Sequence, residues 1–582
     1  MQTSLKTADI QTKKAMTSAG MNFPASRKRA SPNMFSRNYI LTLWYYYCFC
    51  IHCLHSLKIE LVYTPGFKSE MANDLQDAQA IINNTTKFLS RITSATHSLH
   101  FKFRDECRLK EHIMNDSFTP RQDTELLVVL TKPEEQHRLI IGADVCQTVS
   151  GRPVVIRMEV ARSFRFKATS KVESMNWILH AYLHGLAFNH KLMSKLIETG
   201  EHYKYFSDAN IKRIVQEHSN CPMLEGARIQ QKNPPRPSGE RVDCLSSAVH
   251  WEKLAHWDDI MSYPPGPALT ILTTEAVNSL GHFRMKSGPP MRWGENAPCS
   301  FLQAGCQATV LTAAKKQRES YPLYNWNDYL AKGNRKYICD EWNTRLMTLD
   351  WKNWPQGMNI PLLFRGRKEK MGGKTVSGET LAGTEELFKF CPLWKDVYNG
   401  KAGSFHYCAN PELQPKDNKF LEVYGLNSIC MEQETAELIK CEDESHIAKR
   451  DNIADMGAGC YEHVCEDGRL KVRAYSPSTV DASSKFMQQW KVCWAKGSKV
   501  TFERATNPGK PEFHRITLIC PSCKSICESS PLYKNFTCLK DVRFVQSRDK
   551  TGGPCSGCSR GRFLSDLLFL HVFYSIFCFT FH

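Results

Sequence analysis

The sequence predicts an α+β fold in two parts: a twisted sheet packed against helices, and then a disulfide-rich part that is mostly irregular or β. Three short runs rich in β-branched residues precede a long apolar helix, as expected for a sheet that covers a helix. From Pro289 onward, cysteines are spread among frequent Gly and Pro residues, and no long helical pattern remains. A chain of 582 residues with 42% apolar content can bury cores for two or three domains.

Apolar periodicity defines the elements of the first part. An amphipathic helix is predicted over residues 72–92, and further helices over about 172–188 and 268–280. A stretch rich in Pro and polar residues, 232–239, separates the last two helices. The predicted strands are residues 125–131, 138–142 and 153–160, each bounded by Pro, Gly, Ser or charged residues.

His180 and His184 lie four residues apart in the predicted helix 172–188. A helix turns about 100° per residue, so these two imidazoles project from one face and can bind a single zinc ion. In the H-E-x-x-H motif of zinc proteases, the Glu after the first His is the general base. Ala181 occupies that position, so the sequence keeps two metal ligands of such a site and lacks its base.

Cysteine usage indicates an oxidising compartment. Eighteen of the 24 cysteines lie between Cys107 and Cys538, an even number that suits up to nine disulfides. The pairs Cys520/Cys523 and Cys555/Cys558 have no second pair at the spacing of a zinc ribbon. Sequons at Asn83, Asn84, Asn115 and Asn535 point to the same compartment. We therefore expect a secreted or cell-surface glycoprotein.

The first 55 residues are predicted to be a targeting region. Residues 1–33 form a polar extension with a net charge of +5, and residues 34–55 contain an apolar stretch typical of a signal peptide. A signal-anchor or a buried strand is the alternative. Met34, which would give a conventional signal peptide, is the expected start. Without the extension, the formal charge of +17 falls to about +12, with no aromatic-interleaved basic stripe, so nucleic acid is not an expected partner.

The C-terminal residues 556–582 predict membrane attachment. Small residues at 556–558 are followed by a polar spacer, 559–566, and an apolar tail, 567–582. This order matches a signal for exchange with a glycolipid anchor. The alternative is a C-terminal membrane helix, for which the tail is short.

Several ordered landmarks resemble the leishmanolysin (invadolysin-like) family of zinc metalloproteases, in the metzincin clan. The resemblance covers about residues 75–530 and begins before the helix with the two histidines. It continues through His250-Trp251, the turn at Asp259-Ile260-Met261, and the segment from Trp293 to Cys299. In the later part, the family's order is matched at Cys391, Cys460, Cys465, Cys520 and Cys527. The resemblance to this family implies a metzincin-like protease domain over residues 60–288 and a cysteine-rich domain over residues 289–545.

The resemblance also implies a site that binds one zinc ion through His180, His184 and His250. Met261 matches the Met-turn beneath the ligands. Tyr263 resembles an oxyanion donor of other metzincins, and an ordinary turn tyrosine is the alternative. His190, ten residues after His180, is an alternative third ligand, and a site in which the histidines bind no metal is a further alternative.

Three departures from the family pattern bear on activity. Ala181 replaces the general-base Glu, and Ala187 replaces a Gly, where a left-handed backbone would cost about 1–2 kcal/mol. The segment before the first helix is short for a zinc-masking pro-segment. Glu173, Glu252 and Asp258 are the carboxylates considered as replacements, and none is expected to serve.

Two functions remain open from the sequence. One is a catalytically impaired homologue with a role in cell adhesion, which holds peptides, extracellular matrix or host surface proteins without cutting them. The other is an active or residual metalloendopeptidase whose base comes from elsewhere in the fold. A carboxylate within about 3–5 Å of the metal position would favour the enzyme, since proton transfer needs hydrogen-bond reach.

Overall fold

The computed structural model describes part of the chain from residue 56 to residue 542. The described residues are 56–97, 99–114, 118–133, 141–164, 166, 171–201, 203–231, 248–297, 299–304, 337–350, 352–353, 367–371, 374–378, 381–391, 393–399, 404–441, 448–453, 456–475, 489–506, 512–528 and 536–542. They belong to one compact unit that begins at Ser56. The predicted targeting region, the 232–239 stretch, the C-terminal tail, Asn115 and Asn535 lie outside these residues.

The first part of the fold is built on a four-stranded sheet. Up to residue 304, the strands are β1 (Ile59–Tyr63), β2 (Thr93–Ala95), β3 (Leu126–Thr131), β4 (Ile141–Val149), β5 (Arg152–Val160), β6 (Ile197–Thr199), β7 (Lys204–Phe206), β8 (Ala227–Arg228) and β9 (Phe283–Met285). The sheet has the order β1-β3-β5-β4, with β4 alone antiparallel to its neighbour. β3 reads Leu-Leu-Val-Val-Leu-Thr and is buried along its whole length, as expected for a strand covered on both faces.

The helices of this part pack against that sheet and against one another. They are α1 (Pro65–Glu70), α2 (Leu75–Ile92), α3 (Leu109–Ile113), α4 (Lys171–Leu186), α5 (His190–Met193), α6 (Ala209–Ser219), α7 (Lys253–His256), α8 (Ile271–Ser279) and α9 (Cys299–Ala304). In α2 the buried residues recur at helical spacing, so one face packs inward while Asn83 and Asn84 are exposed. α4 is buried on all sides from Trp177 to Leu186, as expected for a helix at the centre of a core.

Two contacts fix the position of α4. The hydroxyls of Tyr182 on α4 and Thr86 on α2 are joined by a hydrogen bond of 2.5 Å. On the sheet side, Gly185 lies so close to Ile156 of β5 that an added Cβ would be 2.8 Å from the Ile156 Cδ1. A glycine at this position therefore lets the helix that carries His180 and His184 approach the sheet closely.

The cysteine-rich part is more regular than the sequence predicts. Its strands are β10 (Ile338–Cys339), β11 (Leu346–Leu349), β12 (Lys352–Asn353), β13 (Arg367–Met371), β14 (Lys374–Gly378), β15 (Leu381–Ala382), β16 (Trp394–Asp396), β17 (Tyr398–Asn399), β18 (Ser404–Phe405), β19 (Ser428–Cys441), β20 (Ala448–Asn452), β21 (Ala458–Glu466), β22 (Arg469–Arg473), β23 (Lys491–Cys493), β24 (Lys499–Ala505) and β25 (Glu512–Ile519). Seven of them form one antiparallel sheet, in which the 14-residue β19 pairs with β20, β21 and β25.

Disulfides connect both parts internally, which confirms the prediction of a disulfide framework. Cys520 and Cys523 are both bonded, to Cys493 and Cys538 respectively, so that CxxC pair is not a metal site. The other described bonds are Cys107–Cys146, Cys221–Cys299, Cys339–Cys430, Cys408–Cys460 and Cys465–Cys527. This number of disulfides is typical of a secreted or extracellular protein. Among the described residues, no helix has the length and apolar character needed to cross a membrane.

A buried cation connects the two parts of the fold. The Arg345 Nε lies 2.8 Å from an Asp396 carboxylate oxygen and 3.6 Å from one of Asp340. Its guanidinium also stacks 4.7 Å from the ring centroid of Trp257, which belongs to the first part. Arg345 and Asp340 are almost completely buried and the Asp396 side chain is 10% exposed, so the guanidinium and the carboxylates compensate one another's charges.

Candidate metal centre

Three histidines converge at the centre of the first part. The Nε2 atoms of His180, His184 and His250 lie 3.0–3.2 Å from one another. This group, called the histidine cluster below, is the one group of His, Cys, Asp or Glu side chains in the described part of the chain that could hold a metal ion. The side chains are only 2–4% exposed.

Backbone carbonyls orient two of the three rings. The His180 Nδ1 lies 2.7 Å from the Ile260 oxygen, and the His184 Nδ1 lies 2.9 Å from the Phe188 oxygen. A ring that donates its Nδ1–H to a carbonyl presents the lone pair of Nε2, which is the tautomer that binds a metal. Burial lowers the pKa of His184 to about 4, so its imidazole is neutral at physiological pH.

His250 is placed by pairing of the segment around it. The Val249 N–H donates to the Phe188 oxygen, directly after α4, and the Gln230 N–H donates to the His250 oxygen. On the other side, the Trp251 N–H donates to the Met261 oxygen. These bonds fix the third histidine against the end of the helix that carries the first two.

The turn beneath the cluster contains a buried carboxylate that the sequence analysis did not identify. Asp259 accepts hydrogen bonds from the Met261 N–H at 2.7 Å and from the hydroxyls of Thr270 and Thr273. Met261 itself is fully buried, and its role as the Met-turn residue stays a prediction. Burial raises the pKa of Asp259 to about 7, against the opposing effect of these hydrogen bonds. The acidic Asp259, two residues before Met261 in the sequence, was the available signal.

Aromatic rings border the cluster. The Tyr263 ring centroid lies 5.3 Å from that of His250 and 6.1 Å from that of Trp177, both in edge-on contact. The Tyr263 ring therefore lies beside the cluster, and the role of Tyr263 as an oxyanion donor stays a prediction.

The structure differs from two possibilities raised by the sequence, a third ligand at His190 and backbone strain at Ala187. His190 is the exposed first residue of α5 and lies outside the histidine cluster, so His250 and not His190 accompanies the helix pair. Ala187 does not adopt a left-handed backbone, and the expected strain is absent at this residue. Instead, the N–H groups of Ala187 and Phe188 both donate to the Leu183 oxygen, which ends the helix without a glycine.

The base position is occupied by a buried methyl group. Ala181 is 0% exposed and lies between His180 and His184 in α4. Glu252 is paired with Arg228 at 3.0 Å and with Lys389 at 2.8 Å. Asp258 accepts from the N–H groups of Arg292 and Trp293. No described carboxylate joins the histidine cluster.

The histidine cluster fits zinc. Three imidazoles meet with their Nε2 atoms facing one another, and a cation bound by all three would satisfy them. A tetrahedral zinc site with Zn–N distances of about 2.0–2.1 Å has N···N edges of about 3.3 Å. The observed separations of 3.0–3.2 Å are close to that value.

A helix with two histidines four residues apart, joined by a distant third histidine above a buried methionine, has the arrangement of a metallopeptidase centre. The family model for leishmanolysin, peptidase family M8, matches residues 112–531. The chain belongs to the leishmanolysin family.

Two curated relatives agree with this assignment. The chain is similar to a leishmanolysin-like peptidase of Caenorhabditis elegans, with 23% identity over 380 residues, which cover 62% of this chain and 51% of that protein. It is also similar to a leishmanolysin-like peptidase of Caenorhabditis briggsae, with 22% identity over 327 residues, covering 55% of this chain and 45% of the relative. The match thus spans about half the length of these relatives.

Proposed function

We propose that this protein is a zinc-binding leishmanolysin homologue that holds peptides or proteins and cleaves them far more slowly than an intact metallopeptidase. The single observation that carries the proposal is Ala181, a fully buried methyl group at the base position beside the histidine cluster. His180, His184 and His250 would hold the ion, and Met261 and Asp259 would support the turn beneath it.

The chemistry explains why one missing carboxylate matters. A bound zinc ion supplies a Lewis acid that polarises a carbonyl and acidifies water. The protein must still accept a proton and return it to the leaving nitrogen, and a methyl group does neither. General acid–base groups contribute about 10²–10⁴ in rate, which corresponds to about 3–5 kcal/mol of barrier.

The carboxylates considered as substitutes have other roles. Glu252 and Asp258 are engaged as described above, and Asp259 supports the turn. Glu173 lies near Phe405 of β18, where burial raises its pKa to about 8. Among the described residues, no carboxylate joins the histidine cluster, which supports this proposal over a base supplied from elsewhere.

The proposed location is the cell surface or the secreted fraction. The disulfides support passage through the secretory pathway. We further propose attachment through the C-terminal tail, as a glycolipid anchor or a membrane helix, and a role in adhesion to matrix or host surface proteins. These follow from the sequence pattern of the tail and from the expected loss of cleavage.

Restoring the base tests the proposal. Zinc-loaded wild type should cleave casein or a fluorogenic peptide near the background rate, and Ala181→Glu should raise the rate by about 10²–10⁴ because it returns the proton acceptor. Ala181→Gln is the matched control, since it has the size of Glu without its basicity, and should gain nothing. The proposal fails if wild type already cleaves at rates typical of metallopeptidases, or if Ala181→Glu binds zinc and gains no activity.

A further inference from the structure

A cavity of about 1130 Å³ lies between the first part of the fold and the cysteine-rich part. We propose that this cavity binds a segment of another protein through an arginine or lysine side chain, whose cation pairs with Glu341. Residues of α6 and of the segment 290–296 line one side of it, and residues within 339–343 and 519–525 line the other. No member of the histidine cluster lines the cavity, so the proposal concerns a second site and does not depend on zinc.

The size and the walls of the cavity suit a short stretch of polypeptide. Pockets for drug-sized ligands have volumes of about 300–1,000 Å³, and this cavity is larger. Ile214, Met291 and Ile519 contribute apolar surface to a lining that also contains charged side chains. Such walls can cover the methylene stem of a lysine or arginine while a carboxylate meets its charged end.

The charge of the lining favours a cationic ligand. Carboxylates outnumber cationic side chains in it by six to four. Arg213 and Glu217 form an ion pair at 2.9 Å, so together they add no net charge. When Asp340 is counted with its buried partner Arg345, which does not line the cavity, one carboxylate remains in excess. A surplus of negative charge attracts cations into a cavity with apolar walls.

Glu341 is the carboxylate with a buried oxygen that lacks a partner. It lines the cavity and is partly exposed, whereas its Oε2 atom is buried and has no hydrogen-bond partner. The Arg292 guanidinium donates to the backbone oxygens of Glu341 and Ser525 and stacks on Trp342. These bonds use the guanidinium on backbone oxygens and leave the Glu341 Oε2 without a donor. A ligand that brings a donor would satisfy this atom.

The surroundings of Glu341 suit an added positive charge. Burial, together with the charges of Asp340 and Asp258, raises the pKa of Glu341 to about 8. A cation beside the carboxyl would favour its charged form and lower this pKa. Ammonium and guanidinium groups carry several N–H donors, and their bonds to a carboxylate are about twice as strong as neutral hydrogen bonds.

The spacing of the carboxylates indicates an organic cation and not a metal ion. In the described part of the chain, three His, Cys, Asp or Glu ligand atoms come within 4.8 Å of one another at the histidine cluster alone. The carboxylates that line the cavity do not gather in this way. A side-chain cation on a flexible stem can pair with a single carboxylate, so it fits the arrangement that the cavity offers.

The test measures binding of matched peptides to the full chain by isothermal titration calorimetry at about pH 8.5, above the pKa of Glu341. The peptides are acetylated and amidated Gly-Ala-Xaa-Ala-Gly, in which Xaa is arginine, lysine or citrulline, a neutral residue with nearly the shape of arginine. The arginine and lysine peptides should bind at least about 10-fold more tightly than the citrulline peptide. Equal binding of all three peptides overturns the proposal.

A substitution at Glu341 separates charge from shape. Glu341→Gln keeps the size of the side chain, so it should weaken the arginine and lysine peptides by about 10-fold or more and leave the citrulline peptide unchanged. Glu111→Gln is the matched control, because Glu111 is exposed on α3 and does not line the cavity, and it should bind all three peptides as wild type does. Unchanged affinity of Glu341→Gln for the arginine peptide overturns the proposal, and so does an equal loss in Glu111→Gln. If Glu341→Gln does not fold, the comparison of arginine with citrulline on wild type decides the point.

Discussion

At the scale of single residues, His250 is the member of the histidine cluster that lies far from the other two in the sequence. Its Nε2 lies 3.1–3.2 Å from those of His184 and His180, whereas His190 is exposed on α5. We expect His250→Ala to lose most of its zinc, because two ligands remain, and His190→Ala to keep it. Elemental analysis of the two purified variants checks this. Retention of zinc by His250→Ala together with its loss from His190→Ala would reverse the ligand assignment.

The sequence could predict that these three histidines lie together, but not what orients them. The spacing of His180 and His184, and the position of His250 before Met261, are visible in the chain. The carbonyls of Phe188 and Ile260 that orient the rings are backbone groups and carry no residue signal. The bonds from Asp259 to Thr270 and Thr273 depend on tertiary packing, so periodicity could not predict them.

A second prediction at this scale concerns a buried carboxyl in the cysteine-rich part. Glu422 is 6% exposed and accepts hydrogen bonds from the Tyr424 hydroxyl and the Cys460 N–H. Burial raises its pKa from 4.5 to about 7, so the folded protein holds a proton that the unfolded chain releases. The contribution of Glu422 to the free energy of unfolding is fully present below pH 4.5 and is lost as the pH rises to about 7.

The variant Glu422→Gln keeps an acceptor oxygen and removes the titration. Its stability should fall less than that of wild type between pH 5 and pH 8, by up to about 3 kcal/mol at 1.36 kcal/mol per pKa unit. Urea unfolding at the two pH values measures the difference. Parallel pH dependence in both proteins would mean that Glu422 titrates near its ordinary pKa in the folded state.

At the scale of elements, the contact between α4 and β5 is the tightest constraint on the metal centre. A methyl group at Gly185 would lie 2.8–3.2 Å from three atoms of Ile156. Overpacking of this kind costs about 1–3 kcal/mol, while Ala gains about 1 kcal/mol in helix propensity over Gly. We therefore expect Gly185→Ala to lower stability by up to about 2 kcal/mol net.

A matched control is available for this substitution. Gly425 has open space around its Cβ position and no left-handed backbone, so Gly425→Ala should be nearly neutral. Ile156→Val shortens the opposing side chain and should recover part of the loss in Gly185→Ala. Thermal unfolding of the three variants decides the point, and equal melting temperatures for Gly185→Ala and wild type would contradict the close approach.

The sequence predicted three helices and three strands of the first part and did not identify others, such as α6 and β1. The helices observed as α2, α4 and α8 lie within the predicted ranges or within one residue of them. Of the predicted strand 138–142, residues 138–140 lie outside the described residues; the strand described from Ile141 continues to Val149, because it forms a hairpin with β5 through Ser150 and Gly151, both at positive φ. The long strand β19 has mixed polar residues and three partners, so alternation alone did not identify it.

At the scale of the whole molecule, Arg345 joins the cysteine-rich part to the part that carries the metal centre. Its guanidinium contacts Asp340, Asp396 and the Tyr407 hydroxyl, and stacks over Trp257. Removing one partner of a buried ion pair leaves an uncompensated charge, at a cost of about 3–5 kcal/mol. Arg345→Met should therefore destabilise the whole chain by about that amount in denaturant unfolding.

A second substitution separates charge from packing. Asp396→Asn combined with Arg345→Met removes one of the carboxylates left without a counter-charge, and should recover part of the loss. If Arg345→Met unfolds at the same denaturant concentration as wild type, the network does not connect the two parts energetically.

The spacing of the histidine cluster along the chain has a consequence for folding as well as for chemistry. His180 and His250 are 70 residues apart, so one ion bound by both closes a long loop of the chain. By mass action, each tenfold excess of free zinc over its dissociation constant would add about 1.4 kcal/mol to the folded state. In this chain, which has Ala181 at the base position, a bound ion would stabilise the folded state. Removing it with a chelator would lower the free energy of unfolding and shorten the time the protein stays folded.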